Sequence, residues 1–269
     1  MRVLIVLLLA VTAAFALGCQ ESGFDERKET ARPLKVQHVK GESKVPGQAG
    51  RVATLTVDSL DDTLALGVRP VRAAVPGLSV PRYLRRPAAG VELMSPVGKM
   101  DLAALEAAQP DLIVGRQGAL FDDLSLIAPT VITEAGSGQW KLNVRLVGEA
   151  LGRTNDAEAL LTDYDRRVAG VRRALEGRPR VAVMRGAGGG LRFAERDSFA
   201  GTILADAGLR QVRSLARADL VLVSQSPDTQ VQVQGGFVED EVDLATWWGP
   251  GGVFAARAAL SDLRRILGD

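Results

Sequence analysis

Between Asn155 and Glu176 the apolar residues Ala157, Leu160, Leu161, Tyr164, Val168, Val171 and Leu175 recur at spacings of three, four and seven. Such spacing gathers them into one stripe on a helix and turns Asp163, Asp165, Arg166, Arg167 and Arg172 away from it. Asn155 and Glu158 have the separation of a capping box, and Gly177-Arg178-Pro179 ends the helix. At 1.5 Å per residue it would span roughly 33 Å. Similar segments lie on either side. Gly50-Arg51-Val52-Ala53-Thr54-Leu55 precedes the helix and Pro179-Arg180-Val181-Ala182-Val183-Met184 follows it, while Pro110-Asp111-Leu112-Ile113-Val114 returns as Ala218-Asp219-Leu220-Val221-Leu222. The pattern predicts two α/β halves that begin alike and are joined by one long helix.

In the first half, strands are predicted at Leu34–Val39, Arg51–Val57, Val71–Ala74, Leu112–Gly115 and Val131–Thr133, with a turn over Lys40–Pro46. Helices are predicted at Leu60–Leu66, Leu102–Ala108, Phe121–Ile127 and Lys141–Leu151. In the second half strands are predicted at Arg180–Met184, Leu191–Ala194, Leu220–Ser224 and Val231–Val238, with helices at Phe199–Ala207 and Gly252–Leu267. Strands alternating with helices imply parallel sheets flanked by helices. Val52 and Asp111 are 59 positions apart, but their counterparts Val181 and Asp219 are only 38 apart, so the second lobe reads as truncated. Gln225–Gln230 is too short for a crossover between parallel strands.

The chain has 269 residues, long enough for two modest cores. Val3–Gly18 is an apolar run behind Arg2, short for a membrane span and suited to a signal peptide. It ends in Ala16-Leu17-Gly18-Cys19, which resembles the lipobox of bacterial lipoproteins, with Ala16 where Leu is usual. Cys19 would then carry lipid, and as the only cysteine it leaves no disulfide for the fold. Gln20–Pro33 is polar and aperiodic, a tether. The expected organisation is therefore a signal peptide at 1–18, a tether at 19–33, a first lobe at 34–153, the connecting helix at 154–177 and a shortened lobe at 178–269. Without Arg2 the chain carries 32 basic and 32 acidic residues, a balance that gives no footprint for nucleic acid.

Catalytic chemistry has little to draw on. His38 is the only histidine, so neither a Ser-His-Asp triad nor a conventional zinc cluster can be assembled. Gly186–Gly190 follows a strand but lacks phosphate-loop spacing and leads into Leu191-Arg192-Phe193 rather than a helix. What remains is a set of arginine and aromatic residues at the carboxyl ends of the predicted strands, where parallel sheets bind ligands. These are Arg82, Tyr83, Arg116, Gln117 and Trp140 in the first half, and Arg185, Arg192, Phe199, Trp247 and Trp248 in the second. Arginine forks suit anionic oxygens, and aromatic rings suit flat ligands.

The order and spacing of several segments resemble the iron-siderophore (ferric chelate and cobalamin) substrate-binding lipoproteins of ABC importers, especially the actinobacterial type. The matching residues are His38–Pro46, Arg51–Leu55 leading to Asp61–Val68, Asp101-Leu102 through Pro110–Ile113, Ile127–Thr130, Trp140–Asn143 through Gly148–Gly152, and Ser198–Gly201. The resemblance implies two α/β lobes on a rigid helix and a non-enzymatic, monomeric, lipid-anchored protein on the outer face of the cell membrane. Its ligand would be ferric iron already held in a siderophore or similar chelate, with no resident metal or cofactor. Ligand contact would fall to Tyr83, Arg116, Trp140, Arg185 and Trp247. Family importers dock on their permease through an acidic residue on each lobe. Here Ala103 follows Leu102 where the first acid is expected, and the second-lobe segment is reduced to Ser214–Arg217. A degenerate relative acting as an envelope scavenger without docking is therefore one alternative, and an enzyme is another.

Overall fold

The computed structural model describes residues 32–96, 101–116, 118–175, 179–187, 190–224 and 238–267. The signal segment, Cys19, nearly all of the tether, Gln117, Gly177-Arg178 and most of the expected strand at Val231–Val238 lie outside the described residues.

A hairpin of β1 (Leu34–His38) and β2 (Gly41–Val45) opens the described chain. β2 replaces the expected turn: Ser43 and Val45 alternate inward, and Val45 is buried against the main core with Val36. There follow β3 (Val52–Thr54), α1 (Val57–Ala65), β4 (Arg72–Ala74), β5 (Leu93–Met94), α2 (Leu102–Ala107), β6 (Leu112–Gly115), α3 (Phe121–Ile127), β7 (Thr130–Ile132) and α4 (Trp140–Ala150). Strands β5-β4-β3-β6-β7 form one parallel sheet in that order. β3 and β6 are buried throughout and, Thr54 apart, carry no polar side chain, as suits strands covered on both faces.

The connecting helix α5 (Thr154–Ala174) buries Ala157, Leu161, Tyr164, Val168 and Val171, the stripe read from the sequence. The expected capping box does not form. Glu158 instead takes a bidentate fork from Arg145 of α4, at 2.7 and 3.3 Å.

The second lobe comprises β8 (Arg180–Ala187), β9 (Gly190–Phe193), α6 (Phe199–Asp206), β10 (Arg210–Gln211), β11 (Leu220–Ser224), β12 (Val238–Glu241), α7 (Leu244–Trp248) and α8 (Val253–Leu267). Its sheet runs β10-β8-β11-β12, all parallel, with β9 added antiparallel to β8. Each sheet thus has five strands. The economy of the second lobe lies in its connections, since a single 3-10 turn at Leu215–Arg217 precedes β11. β12 starts at Val238 and pairs parallel with β11, so the connection runs through 225–237 and is longer than the sequence reading allowed.

One apolar core runs through both lobes. Val52, Leu112 and Val114 of the first sheet and Val181, Val183, Leu220 and Leu222 of the second belong to it, with α4, α5 and α8 between them. Ile113 and Val221, one position out of phase, face separate clusters on the far sides of the sheets.

Candidate functional site

The alternation that buries Val181 and Val183 brings Arg185 to the same side of the sheet at the carboxyl end of β8. Arg192 on β9 is its direct cross-strand partner, and Ser224 on β11 is its parallel neighbour. Like charges opposite one another on a ladder repel. Neither arginine has an acidic partner among the described residues. The Arg185 guanidinium lies 4.7 Å from the Trp248 ring centre, stacked on its face. Buried polar atoms with no hydrogen-bond partner gather here: Arg185 Nε, Trp248 Nε1, Ser224 Oγ and, from the first lobe, Tyr83 Oη. A groove of about 670 Å³ opens beside them, lined by Arg82 of the first lobe and by Arg185, Glu241, Asp243 and Trp248 of the second. Its size falls in the usual range for a small-molecule site.

Asp243 fixes one wall. Its Oδ1 accepts from the Thr246 N–H and hydroxyl, both at 2.7 Å, and so caps α7. That cap sets the rotation of the helix. Trp247 then points inward, 1% exposed, and donates from Nε1 to Asp262 Oδ2 at 2.9 Å, while Trp248 turns to the groove.

The other aromatic candidates are in the interior. Trp140 begins α4 and Phe199 begins α6, and each is 1% exposed. Their rings meet edge to face at 6.0 Å, and Trp140 also packs on Tyr164 of α5 at 4.9 Å. Trp140, Phe199 and Trp247, expected at the ligand-binding carboxyl ends of the strands, are instead in the core: packing at helix starts and on α7 draws them in.

The carboxyl end of the first sheet is arranged differently. Arg116 follows β6 but is turned inward, donating from Nη2 to Asp58 Oδ1 at 3.2 Å. Asp58, Asp61 and Asp62 of α1 are all buried. Asp61 accepts from the Phe254 N–H (2.7 Å) and the Ala255 N–H (3.0 Å), and Asp62 from the Val253 N–H (3.3 Å). The first lobe thereby holds the positive amino end of α8. Gly252 is required there: its φ is +132°, and a Cβ would sit 2.5 Å from Asp61 Cγ. Burial pushes the Asp61 carboxyl up to about 7, against the pull of its two backbone donors. Asp62 is raised by burial and by the Asp61 charge. The Tyr83 phenol is raised by burial first, then by the charges of Asp61, Asp58 and Asp243.

A larger groove, about 840 Å³, is lined by Arg180, Arg196, Arg210, Arg213 and Arg217. It lies at the amino ends of the second-lobe strands, away from the inter-lobe site. Arg180 is held by Asp219 and Arg213 by Glu195. His38 bonds Ser43 Oγ through Nε2 at 2.9 Å and packs on Phe121. Among the described residues no group of three or more His, Cys, Asp or Glu side chains is placed to hold a metal ion.

Sequence reading missed Ser224, Glu241 and Asp243. The Asp243-x-x-Thr246 spacing is an N-cap signal that could have located α7 and, with it, the groove wall.

Comparison with known proteins agrees with this fold. Residues 52–217 match the family described as periplasmic binding protein. The chain is 31% identical over 216 residues to the "Probable siderophore-binding lipoprotein YfiY" of Bacillus subtilis, covering 77% of this chain and slightly under two thirds, 66%, of that protein. It is 26% identical over 264 residues to the "Achromobactin-binding periplasmic protein" of Dickeya dadantii, covering 81% and 86%. Among solved structures, Staphylococcus aureus SirA complexed with staphyloferrin B superposes with a TM-score of 0.75 at 24% identity, covering 86% of this chain and 97% of that one. A periplasmic solute binding protein from Mycobacterium smegmatis gives 0.73 at 21% identity, covering 88% and 99%. With more than half of its length matched, the chain belongs to the periplasmic binding protein family.

Proposed function

We propose that this protein is an extracytoplasmic substrate-binding protein for a ferric siderophore or related iron chelate, anchored to the membrane through lipid on Cys19. The division into signal peptide, tether, two lobes and connecting helix given above belongs to the same reading. The observation that carries it is Arg185, unpartnered by acid among the described residues and stacked on Trp248 in the inter-lobe groove, with Arg192 opposite it on the neighbouring strand. Two arginines opposite one another on a strand ladder are relieved by an anion, and a siderophore that wraps iron in carboxylate or catecholate oxygens supplies one. Relatives named as siderophore-binding proteins support the class. Contact is assigned to Arg82, Tyr83, Arg185, Arg192 and Trp248. The chelate brings its own metal ligands, so the protein needs to supply none, and catalysis has no part in the reading.

The test is titration of the purified protein with ferric chelates of the hydroxamate, catecholate and citrate types, followed by quenching of tryptophan emission. Saturable quenching is expected from at least one anionic class, weakened about 30-fold in Arg185→Ala, which is ~2 kcal/mol for a lost charged hydrogen bond. Flat titrations throughout would remove the proposal. Cys19→Ala should abolish lipid labelling and release the protein from the membrane fraction.

A second reading, binding without transport, draws on α2 and on the turn before β11. Ala103 is exposed where a docking acid is expected, and Asp101 uses its Oδ1 to cap α2 at Ala104 N, 2.9 Å away. The turn Leu215–Arg217 presents a cation instead. Charge pairs at such interfaces set orientation and encounter rate. Uptake into vesicles bearing the cognate permease, compared between wild type and Ala103→Glu, separates the readings: transport by wild type that the added Glu leaves unchanged favours the importer role.

A further inference from the structure

The larger groove of the second lobe has no part in the inter-lobe site, and its charge is of one sign. About 840 Å³ in volume, it is lined by Arg180, Arg196, Arg210, Arg213 and Arg217, with no carboxylate among its lining residues. Ala205 of α6 and the residues flanking β10, Leu209 and Val212, also line it, so apolar side chains stand among the cations. Two of the arginines are already engaged. Arg180 forks onto Asp219, from Nε at 3.0 Å and from Nη2 at 2.7 Å, and Arg213 reaches Glu195 at 2.6 Å. Arg196, Arg210 and Arg217 are exposed and have no acidic partner among the described residues. They come from three separate segments: the approach to α6, the strand β10 and the turn before β11. The fold therefore gathers three uncompensated cations around one concavity, where their fields add.

That arrangement selects among anions. A single small oxyanion has no one place to sit, because the guanidinium groups are spread over a wide groove and no unpartnered buried polar atom belongs to its lining. A bilayer surface is flat and would leave the concavity unfilled. A polypeptide that carries carboxylates beside short apolar side chains answers both parts of the lining, the acids meeting guanidinium forks and the apolar groups meeting Ala205, Leu209 and Val212. β10, which contributes Arg210 and Gln211 to the groove, is an outer strand of its sheet, the kind of edge along which an extended chain adds. We infer that this groove is an interaction surface for an acidic, extended segment of a partner protein. Its carboxylates engage Arg196, Arg210 and Arg217. Because the groove lies at the amino ends of the second-lobe strands, it is open to the partner whether or not the inter-lobe groove is filled.

The probe is a fluorescently labelled peptide alternating Glu and Val, compared with the same peptide alternating Gln and Val. Anisotropy titrations with the full-length protein should show saturable binding of the Glu peptide and about tenfold weaker binding of the Gln peptide. Each exposed charge pair contributes a factor of roughly two to three, and three such factors multiply to about that ratio. Arg196→Gln, Arg210→Gln and Arg217→Gln made together should weaken the Glu peptide about tenfold and leave the Gln peptide unchanged. A control removes the same charge elsewhere: Arg85→Gln, Arg86→Gln and Arg173→Gln, all exposed outside the groove, should leave affinity within about twofold. Equal melting temperatures for the two triple variants verify that both are folded. Binding that does not distinguish Glu from Gln, or that falls equally in both triple variants, overturns the inference, because the groove then contributes nothing beyond net charge. So does failure of the Glu peptide to bind. Phosphatidylglycerol vesicles that bind wild type better than the groove variant, in the absence of peptide binding, would show instead that the surface faces a membrane.

Discussion

Arg116 and Arg185 occupy comparable positions, each at the carboxyl end of an interior strand on the side facing the shared core, yet they are used in opposite ways. In the first lobe, α1 brings Asp58 against Arg116, and the charge is consumed inside the protein. In the second lobe, the first turn of α6 carries no acid. Arg185 is left stacked on an indole, facing a second arginine and a groove. The same side chain at similar strand ends serves architecture in one lobe and is free for recognition in the other. What decides between them is the residue that a neighbouring helix presents, not the arginine.

Four experiments, in descending order of expected effect, would break or sharpen that contrast. The first concerns the saturated side. The Asp61 carboxyl has a folded-state value of about 7 against an ordinary value of 3.8, so the native state retains a proton that the unfolded chain has lost between those limits. Stability should therefore be highest near the acid end of that window, decline as pH rises through it, and level off above 7, a change on the order of a few kcal/mol. Denaturant melts at pH 5 and pH 8 should show it, and Asp61→Asn should flatten it. A rise in stability from pH 5 to pH 8 would contradict the buried-acid account. Second, Arg116→Ala should cost about 2 kcal/mol of stability, because Asp58 is left buried without a counter-charge while Arg116 itself is partly solvated. Chelate affinity should change by less than about threefold, on the geometry that turns Arg116 inward. Third, Arg185→Ala should give the reverse pattern, with the affinity loss stated above and a melting temperature within about 2 °C of wild type. If Arg116→Ala weakened binding as much as Arg185→Ala, the contrast would fail. Fourth and smallest, Arg192→Ala should weaken binding about fivefold yet stabilise the free protein by ~0.5 kcal/mol, since it removes a like-charge cross-strand pair.

Much of the framework could be read from periodicity. Leu112–Gly115, Phe121–Ile127 and Leu220–Ser224 occupy their expected limits, and α5 buries the residues its spacing selects. The failures have a common physical origin: a side chain's neighbours in space are not its neighbours in sequence. Glu158 has capping spacing, but Arg145 on α4 is the stronger partner. Trp247 and Trp248 are adjacent and chemically identical, and only the rotation of α7 sends one to Asp262 and the other to the groove. Trp140 and Phe199 lie at loop-to-helix junctions, which suit a ligand-facing residue and a core-capping residue equally. Acids were harder still. Asp58, Asp61 and Asp62 look like a solvated helix face, yet they are buried because α8 and Arg116 offer donors that no local pattern encodes.

The clasp between α1 and α8 also governs the order of events during folding. Asp61 and Phe254 are separated by 193 positions, so the donors that complete the first lobe belong to the final described helix. A growing chain that has made β3, α1 and β6 must keep Asp61 and Asp62 in water until α8 is available, because burying them alone is too costly. The first lobe cannot consolidate ahead of the second, and the two should form in one cooperative step of high contact order and correspondingly slow rate. Truncation before Val253 should leave β3, α1 and β6 open to protease, as though the whole protein had been cut rather than its last helix.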